Sequence, residues 1–76
     1  MIIVNQYESI IVNFDNISTI YLNGSGDKVV TALTSHSDKI TLGEYATEER
    51  AKEVLQEIVR YYATANIGQV YEMPEE

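Results

Sequence analysis

Hydrophobic and polar residues follow a strand-like pattern in the first half of the chain and a helical spacing afterwards. Up to Gly43, short apolar and β-branched runs are separated by turn residues, as in β-strands. Beyond Gly43 the apolar positions recur about every 3.6 residues. We therefore predict an α+β fold, with an antiparallel sheet of five to six strands and one principal amphipathic helix packed on one face. The predicted strands span residues 2–5, 9–14, 17–22, 29–34 and 39–42.

The segment TEERAKEVLQEIVRYY carries the helix prediction, with Thr47 as its N-cap and Gly68 at its end. Glu48 and Glu49 in the first turn suit the positive end of the helix dipole. The predicted apolar stripe consists of Ala51, Val54, Leu55, Ile58 and one of Tyr61 and Tyr62. The segment QVYEM after the helix is short and alternating, which predicts a last edge strand before Pro74.

Both faces of the predicted sheet are apolar. Ile2 and Val4 point to one face, and Ile3 points to the other. Because one helix covers only one face, the second face must close by curvature of the sheet or meet another subunit, since large exposed apolar patches are unusual on monomers. We expect a homodimer or a higher assembly whose interface includes Ile3, Ile11 and Ile20.

Length and charge narrow the range of partners. The 76 residues fit one domain, 1–76, and the absence of cysteine excludes disulfides and thiolate metal sites as reinforcement of a small core. Twelve acidic and five basic residues give a net charge of −7. This charge disfavours nucleic acid and anionic membranes and suits a basic protein partner. The first residues lack a signal-peptide pattern, so we expect a cytoplasmic protein.

Candidate catalytic and metal-binding residues are few. The GSG of LNGSGDK can cradle a phosphate only before a helix, and here a strand follows, which predicts a hairpin turn. His36 lies between two serines of one loop, where sequence neighbours cannot form a catalytic triad. His36 and Asp38 offer two ligands, whereas a structural zinc site needs about four. We expect no enzymatic activity, no metal and no cofactor.

An acidic row is the most distinctive feature of the predicted helix. Glu49, Glu53 and Glu57 follow each other at every fourth position, with a rise of about 6 Å per step, comparable to the spacing of phosphates along a nucleic-acid strand. The row can therefore mimic a nucleic acid toward a basic surface, or it is only a solvated face. The six tyrosines likewise suit either a binding surface or the rim of a thin core.

The segments VNFDNI, LGEYATEERAKEVLQEI and VYEMPEE, in this order, resemble small acidic proteins encoded by phages and mobile elements of Gram-positive bacteria. The resemblance covers most of the chain except the part between Tyr21 and Lys39. It implies an inhibitor of host defence. Two kinds of inhibitor fit this resemblance. One is an anti-CRISPR protein that occupies the basic channel of a nuclease, and the other is an oligomeric sponge that sequesters a cyclic nucleotide. A phage structural or assembly accessory is the third alternative.

These alternatives require different residues. An inhibitor needs presented carboxylates, and the candidates are Glu49, Glu53, Glu57, Glu72, Glu75 and Glu76. A sponge needs cations for phosphates and aromatic rings for bases, and the cations available are Arg50, Arg60, Lys28 and Lys39. Since carboxylates are abundant and no glycine-rich phosphate nest accompanies the cations, the protein-binding inhibitor ranks first.

Overall fold

A computed structural model describes residues 1–64 and 69–76. Within these residues the chain forms six strands and one α-helix, so the predicted α+β class with one principal helix is confirmed. In chain order the elements are β1 (Ile2–Val4), β2 (Ile11–Asn13), β3 (Ile17–Asn23), β4 (Val29–Thr34), β5 (Lys39–Glu44), α1 (Glu48–Ala63) and β6 (Val70–Glu72). No helix of the described residues is long and apolar enough to span a membrane.

The strands form two three-stranded sheets, so the predicted single antiparallel sheet is wrong. Sheet A has the order β2-β1-β6 and sheet B the order β3-β4-β5. A turn of 3-10 helix, Phe14–Asn16, separates β2 from β3, and the two strands belong to different sheets. The edge strand β6 runs parallel to β1, with Tyr71 opposite Ile3. A period of two specifies strands but not their partners or directions, which explains the error.

Gln6 joins the two sheets. Its backbone N–H donates to the carbonyl of Leu42 in β5 at 2.7 Å. Its side-chain amide donates to the carbonyl of Glu44 at 2.9 Å and accepts from the backbone N–H of Glu44 at 2.8 Å. These contacts continue β1 past its end onto the edge of β5 and hold the sheets around one core.

The core is shared by both sheets and the helix. Its buried residues are Ile3, Val12, Tyr71 and Met73 beside sheet A, Val30, Ala32, Leu42 and Tyr45 beside sheet B, and Ala51, Val54 and Ile58 on α1. The predicted helix stripe is therefore confirmed, with Leu55 and Tyr61 packed against the core while Tyr62 stays exposed. Burial of such an amphipathic face is the main source of stability for a helix of this length.

Thr47 is the N-cap of α1, as predicted: its side-chain oxygen accepts a hydrogen bond from the backbone N–H of Arg50 at 3.1 Å. This bond satisfies one of the free N–H groups of the first turn. The described helix ends at Ala63, with Thr64 as its C-cap. The predicted end at Gly68 lies outside the described residues.

The predicted turns between strands are confirmed. Gly24 and Gly26 in the β3–β4 turn have φ values of +81° and +76°, which L-residues with side chains rarely adopt. A Cβ on Gly24 would also come within 2.8 Å of a Val29 methyl carbon. The segment leads from strand to strand, as a hairpin turn does. His36 is an exposed residue of the β4–β5 turn.

Asn5 fixes the β1–β2 hairpin from inside. Its side chain is nearly buried, accepts hydrogen bonds from the backbone N–H groups of Ser9 and Ile10, and donates to the Ser9 hydroxyl. These bonds hold residues 9 and 10 in the turn, and Phe14 already belongs to the 3-10 helix. For these reasons the observed strand β2 has only three residues, whereas the predicted strand spans 9–14.

We predict that Asn5→Ala lowers the free energy of unfolding by about 2 kcal/mol, because it leaves two backbone N–H groups without their partner. Asn13→Ala is the matched control: Asn13 is exposed, and its side chain accepts one hydrogen bond, from the backbone N–H of Asp15, within the described residues. Its loss should cost about 1 kcal/mol or less. Urea unfolding of the three proteins measures both values. Equal costs for the two variants would contradict the structural role of Asn5.

Candidate protein-binding surface

The three glutamates of the predicted acidic row differ in their surroundings. Glu49 is exposed and forms no ion pair within the described residues. The Glu53 side chain is 65% exposed, and its carboxylate lies 3.8 Å from the Arg50 guanidinium. The Glu57 side chain is only 35% exposed and lies 3.2 Å from the same guanidinium. The row is therefore a presented surface at Glu49 and Glu53 only.

Glu57 belongs to a polar cluster beneath the row. One carboxylate oxygen pairs with Nη1 of Arg50, and the other accepts a hydrogen bond from the Tyr71 hydroxyl at 3.2 Å. Tyr71 in turn lies in the core, edge-on to the ring of Tyr61 at 5.1 Å between centroids. With both oxygens engaged, Glu57 connects the helix to sheet A instead of facing a partner.

Arg50 is the centre of this cluster. Besides its contacts with Glu53 and Glu57, its Nε donates to the backbone carbonyl of Glu76 at 2.9 Å. Its guanidinium lies 6.0 Å from the centroid of the Tyr45 ring. The sequence predicts Arg50 as a candidate phosphate ligand. Its donors point instead to groups of the same chain, which leaves it poorly placed for a nucleotide.

The residues after β6 are held against the rest of the molecule at several points. The Met73 backbone N–H donates to the carbonyl of Val4 at 3.0 Å, and the Tyr45 hydroxyl donates to the carbonyl of Pro74 at 2.9 Å. The Gln6 amide, which also binds Glu44, donates to the carbonyl of Glu75 at 2.7 Å. The tail 73–76 is thus fixed between the β1–β2 hairpin, the end of β5 and α1.

This docking brings acidic residues from distant parts of the chain together. We call the resulting surface the acidic edge. Its members are all exposed, and they are Glu44, Glu49, Glu53, Glu72, Glu75 and Glu76. Helix row and tail are adjacent because Arg50 contacts both Glu53 and Glu76. Five of the six sequence-predicted carboxylates, all except Glu57, therefore lie on this edge, and Glu44 is an addition.

Two tyrosines beneath the acidic edge stay neutral well above physiological pH. Burial, with the charge of Glu57 as a smaller contribution, raises the pKa of Tyr45 to about 12 despite the opposing effect of Arg50. Burial also raises the pKa of Tyr71, and the charge and hydrogen bond of Glu57 raise it further. Both phenols are thus held as hydrogen-bond donors. Tyr45 also covers Gly43, where a Cβ would lie 2.8 Å from its hydroxyl oxygen.

The remaining candidate cations and metal ligands do not form a second binding site beside the acidic edge. Arg60 is exposed and has no ion-pair partner within the described residues. It borders a concavity of about 430 Å³ whose lining includes Tyr61, Tyr71 and the Glu57 carboxylate. Lys28 and Lys39 are exposed at other strand ends. In the described part of the chain, no three histidine, cysteine or acidic residues cluster as metal ligands would.

The three predicted interface residues lie in three different environments. Ile3 is completely buried in the core, because it pairs with Val12 and Tyr71 on the inner face of sheet A. A subunit interface cannot include it in this fold. Ile11 is 70% exposed on the outer face of the same sheet. Ile20 is a residue of β3 and is partly buried on the side of the strand that faces α1. The alternation within each strand was correct, but the register between strands placed Ile3 and Ile11 on opposite faces.

Sequence reasoning missed Gln6 and the structural role of Arg50. Arg50 had a readable signal, since Glu53 and Glu57 follow it by three and seven residues, which are one and two helical turns. Gln6 had none, because its partners lie 38 and 69 positions away in the sequence. Contacts over such separations depend on tertiary packing.

Comparison with known proteins gives no information on the function of this surface. No family model, curated protein or solved structure matches the chain. The resemblance to phage-encoded proteins therefore stays a prediction, and function has to be argued from the residues themselves.

We predict that Glu57→Gln lowers the free energy of unfolding by about 1 kcal/mol, because it removes the charge that faces Arg50 and accepts from Tyr71. Glu53→Gln is the matched control on the same helix and should change stability by less than about 0.5 kcal/mol. Urea titration of both variants measures the difference. A loss at Glu53 as large as that at Glu57 would contradict the assignment of Glu57 to the structural cluster.

We also predict a loss of stability at alkaline pH that depends on Tyr45. Its pKa is raised from 10.0 to about 12, so the folded state holds the phenolic proton more tightly than the unfolded state. The contribution is complete below pH 10 and is lost as the pH rises toward 12. Tyr45→Phe loses the hydrogen bond to Pro74, at a cost of about 1 kcal/mol at neutral pH, but should decline less steeply above pH 10. Identical alkaline slopes in urea unfolding would contradict this.

Proposed function

We propose that the protein is a small anti-defence inhibitor, of the anti-CRISPR type, that binds a basic, nucleic-acid-binding surface of a host defence protein through its acidic edge. In this proposal it acts in the cytoplasm of the infected bacterium, without catalysis or cofactor. The observation that carries it is the docked tail: Gln6 holds the backbone carbonyl of Glu75, and Arg50 holds that of Glu76 while it also contacts Glu53.

The distribution of charge and the docked position of the tail support this proposal. Of the five basic residues, Lys52 pairs with Glu48, and Arg50 lies closer to Glu57 than to Glu53, so Glu53 is the edge carboxylate whose charge these two residues partly offset. The carboxylates of Glu49 and Glu53 are one helical turn apart, about 6 Å, similar to successive phosphates. Because the tail is already docked, binding needs little further ordering of the chain, which favours affinity. Such an interface also gains from electrostatic steering at low salt.

The cyclic-nucleotide sponge has less support. It requires cations that converge on phosphates, and Arg50 is engaged inside the protein. Arg60 is available beside Tyr61 and Tyr71, but the Glu57 carboxylate lines the same concavity and would repel a phosphate. A titration with cyclic dinucleotides separates this alternative: binding that is lost in Arg60→Gln would favour the sponge over the inhibitor.

The direct experiment uses the immobilised protein to retain proteins from a host lysate. The test variant Glu49→Gln/Glu53→Gln removes two charges from the acidic edge. The matched control Asp15→Asn/Asp38→Asn removes two charges elsewhere: Asp38 precedes β5 while Glu44 ends it, about 20 Å along the strand. Both substitutions lie at exposed positions, and circular dichroism verifies that the fold is kept.

We predict that the parent and the control retain the same nucleic-acid-binding protein, whereas the test variant retains it about ten-fold less strongly, because two charged contacts are lost. Added salt should weaken retention, since exposed charges are screened over about 8 to 10 Å at physiological ionic strength. A nucleic-acid ligand of the captured protein should compete. Equal retention by the test variant, or retention unaffected by salt and nucleic acid, would contradict the proposal.

A further inference from the structure

Strand β3 is an open edge without the usual protection. It is the longest strand, with seven residues, and within the described chain no strand pairs with its outer side. Edge strands of monomers are commonly short, charged or interrupted by proline. The sequence ISTIYLN of β3 has no charge and no proline. Its one irregularity lies between Ile17 and Thr19, which leaves 19–23 as regular strand.

The other outer strands contrast with β3. Strands β2 and β6 of sheet A have only three residues each. Strand β5 carries Lys39 and Glu44 at its ends and is partly covered by Gln6. The fold thus protects these outer strands and leaves β3 as an edge that can pair with another strand.

An apolar groove runs between β3 and α1. Its volume is about 410 Å³, and its lining consists of Phe14, Ile17, Ser18, Thr19, Ile20, Leu55, Ile58, Val59 and Tyr62. Val59 and Tyr62 on the helix wall are 68% and 55% exposed, although both are large hydrophobic residues. Tyr62 stacks on Phe14 across the groove, at 4.9 Å between ring centroids. Exposed side chains beside an apolar depression mark an interaction surface.

The groove has a ridge beside it. Val59 also lines a second depression of about 290 Å³, together with Leu55, Gln56 and Arg60. Val59 therefore stands between two depressions as a projecting side chain. A surface that carries both a ridge and a groove can be complementary to itself, which is what a two-fold symmetric interface requires.

Charge favours a second copy of this chain as the occupant. Charged residues make up 22% of the sequence, yet none of the nine groove residues is charged. Two copies with a net charge of −7 each repel one another overall, and the repulsion is least when uncharged faces meet and the carboxylates remain in solvent. An extended peptide from another protein would cover the β3 edge but leave the Val59 ridge exposed, whereas a second copy covers both.

We infer that the protein forms a two-fold symmetric dimer in which β3 pairs antiparallel with β3 of a second copy. The pairing joins the two copies of sheet B into one six-stranded sheet, and Val59 of each copy enters the groove of the other. A stable dimer buries roughly 800 Å² on each partner, about one sixth of the 4899 Å² accessible surface of this chain. The acidic edge lies on other residues and stays available to a defence protein.

The test compares two lysine substitutions of equal chemistry. Val59→Lys places a charge on the ridge, and Ile11→Lys places one on the outer face of sheet A, where the residue is equally exposed, at 70%. Neither substitution disturbs a buried residue, so thermal melts should show folded proteins. Sedimentation equilibrium from one to hundreds of micromolar measures the dissociation constant of each dimer.

We expect the parent and Ile11→Lys to dimerise with similar affinity and Val59→Lys to dimerise at least about ten-fold more weakly, as for a central residue of an interface. Backbone amides of β3 should exchange hydrogen more slowly as the concentration of the parent rises. A strictly monomeric parent, or a Val59→Lys dimer as tight as the parent, would overturn the inference. Loss of the dimer in Ile11→Lys alone would also overturn it, because it would assign the interface to sheet A.

Discussion

The parallel pairing of β6 with β1 is the contact on which the arrangement of the surface depends. It buries Tyr71 and Met73 in the core and continues directly into the tail 73–76. Once β6 is in place, the tail is within reach of Gln6, Tyr45 and Arg50. A parallel pair requires a long connection, and here that connection is almost the entire chain. The acidic tail lies beside the helix for this reason.

The helix could be predicted from the sequence because its signals are local. The 3.6-residue period and the Thr47 cap depend on neighbours within a few turns, and both were correct. The partition of the strands into two sheets was missed, because strand partners are chosen by tertiary packing. The acidic row was predicted as three equivalent glutamates. Only the fold reveals that Tyr71 reaches Glu57 and makes it a structural residue.

The surface divides into two regions of different chemistry. The acidic edge combines the exposed side of the first helical turns with the tail, and the uncharged groove lies between the same helix and β3. In α1, Glu49 and Glu53 belong to the edge, whereas Leu55, Val59 and Tyr62 belong to the groove. Different faces of the one helix therefore pack into the core, contribute to the acidic edge and line the groove. This division allows self-association through an uncharged face while the negative charge remains in solvent.

The central claim is that Arg50 fixes the acidic tail beside the helix, and backbone ¹⁵N relaxation tests it most directly. In the parent protein we expect ordered amides at Glu75 and Glu76, with order parameters of roughly 0.85. In Arg50→Gln we expect a value below about 0.6 at Glu76, whereas Glu75 stays ordered because Gln6 holds its carbonyl. Lys52→Gln is the matched control, since among the described residues Lys52 pairs with Glu48 and not with the tail. An order parameter at Glu76 that is the same in Arg50→Gln as in the parent would contradict the account.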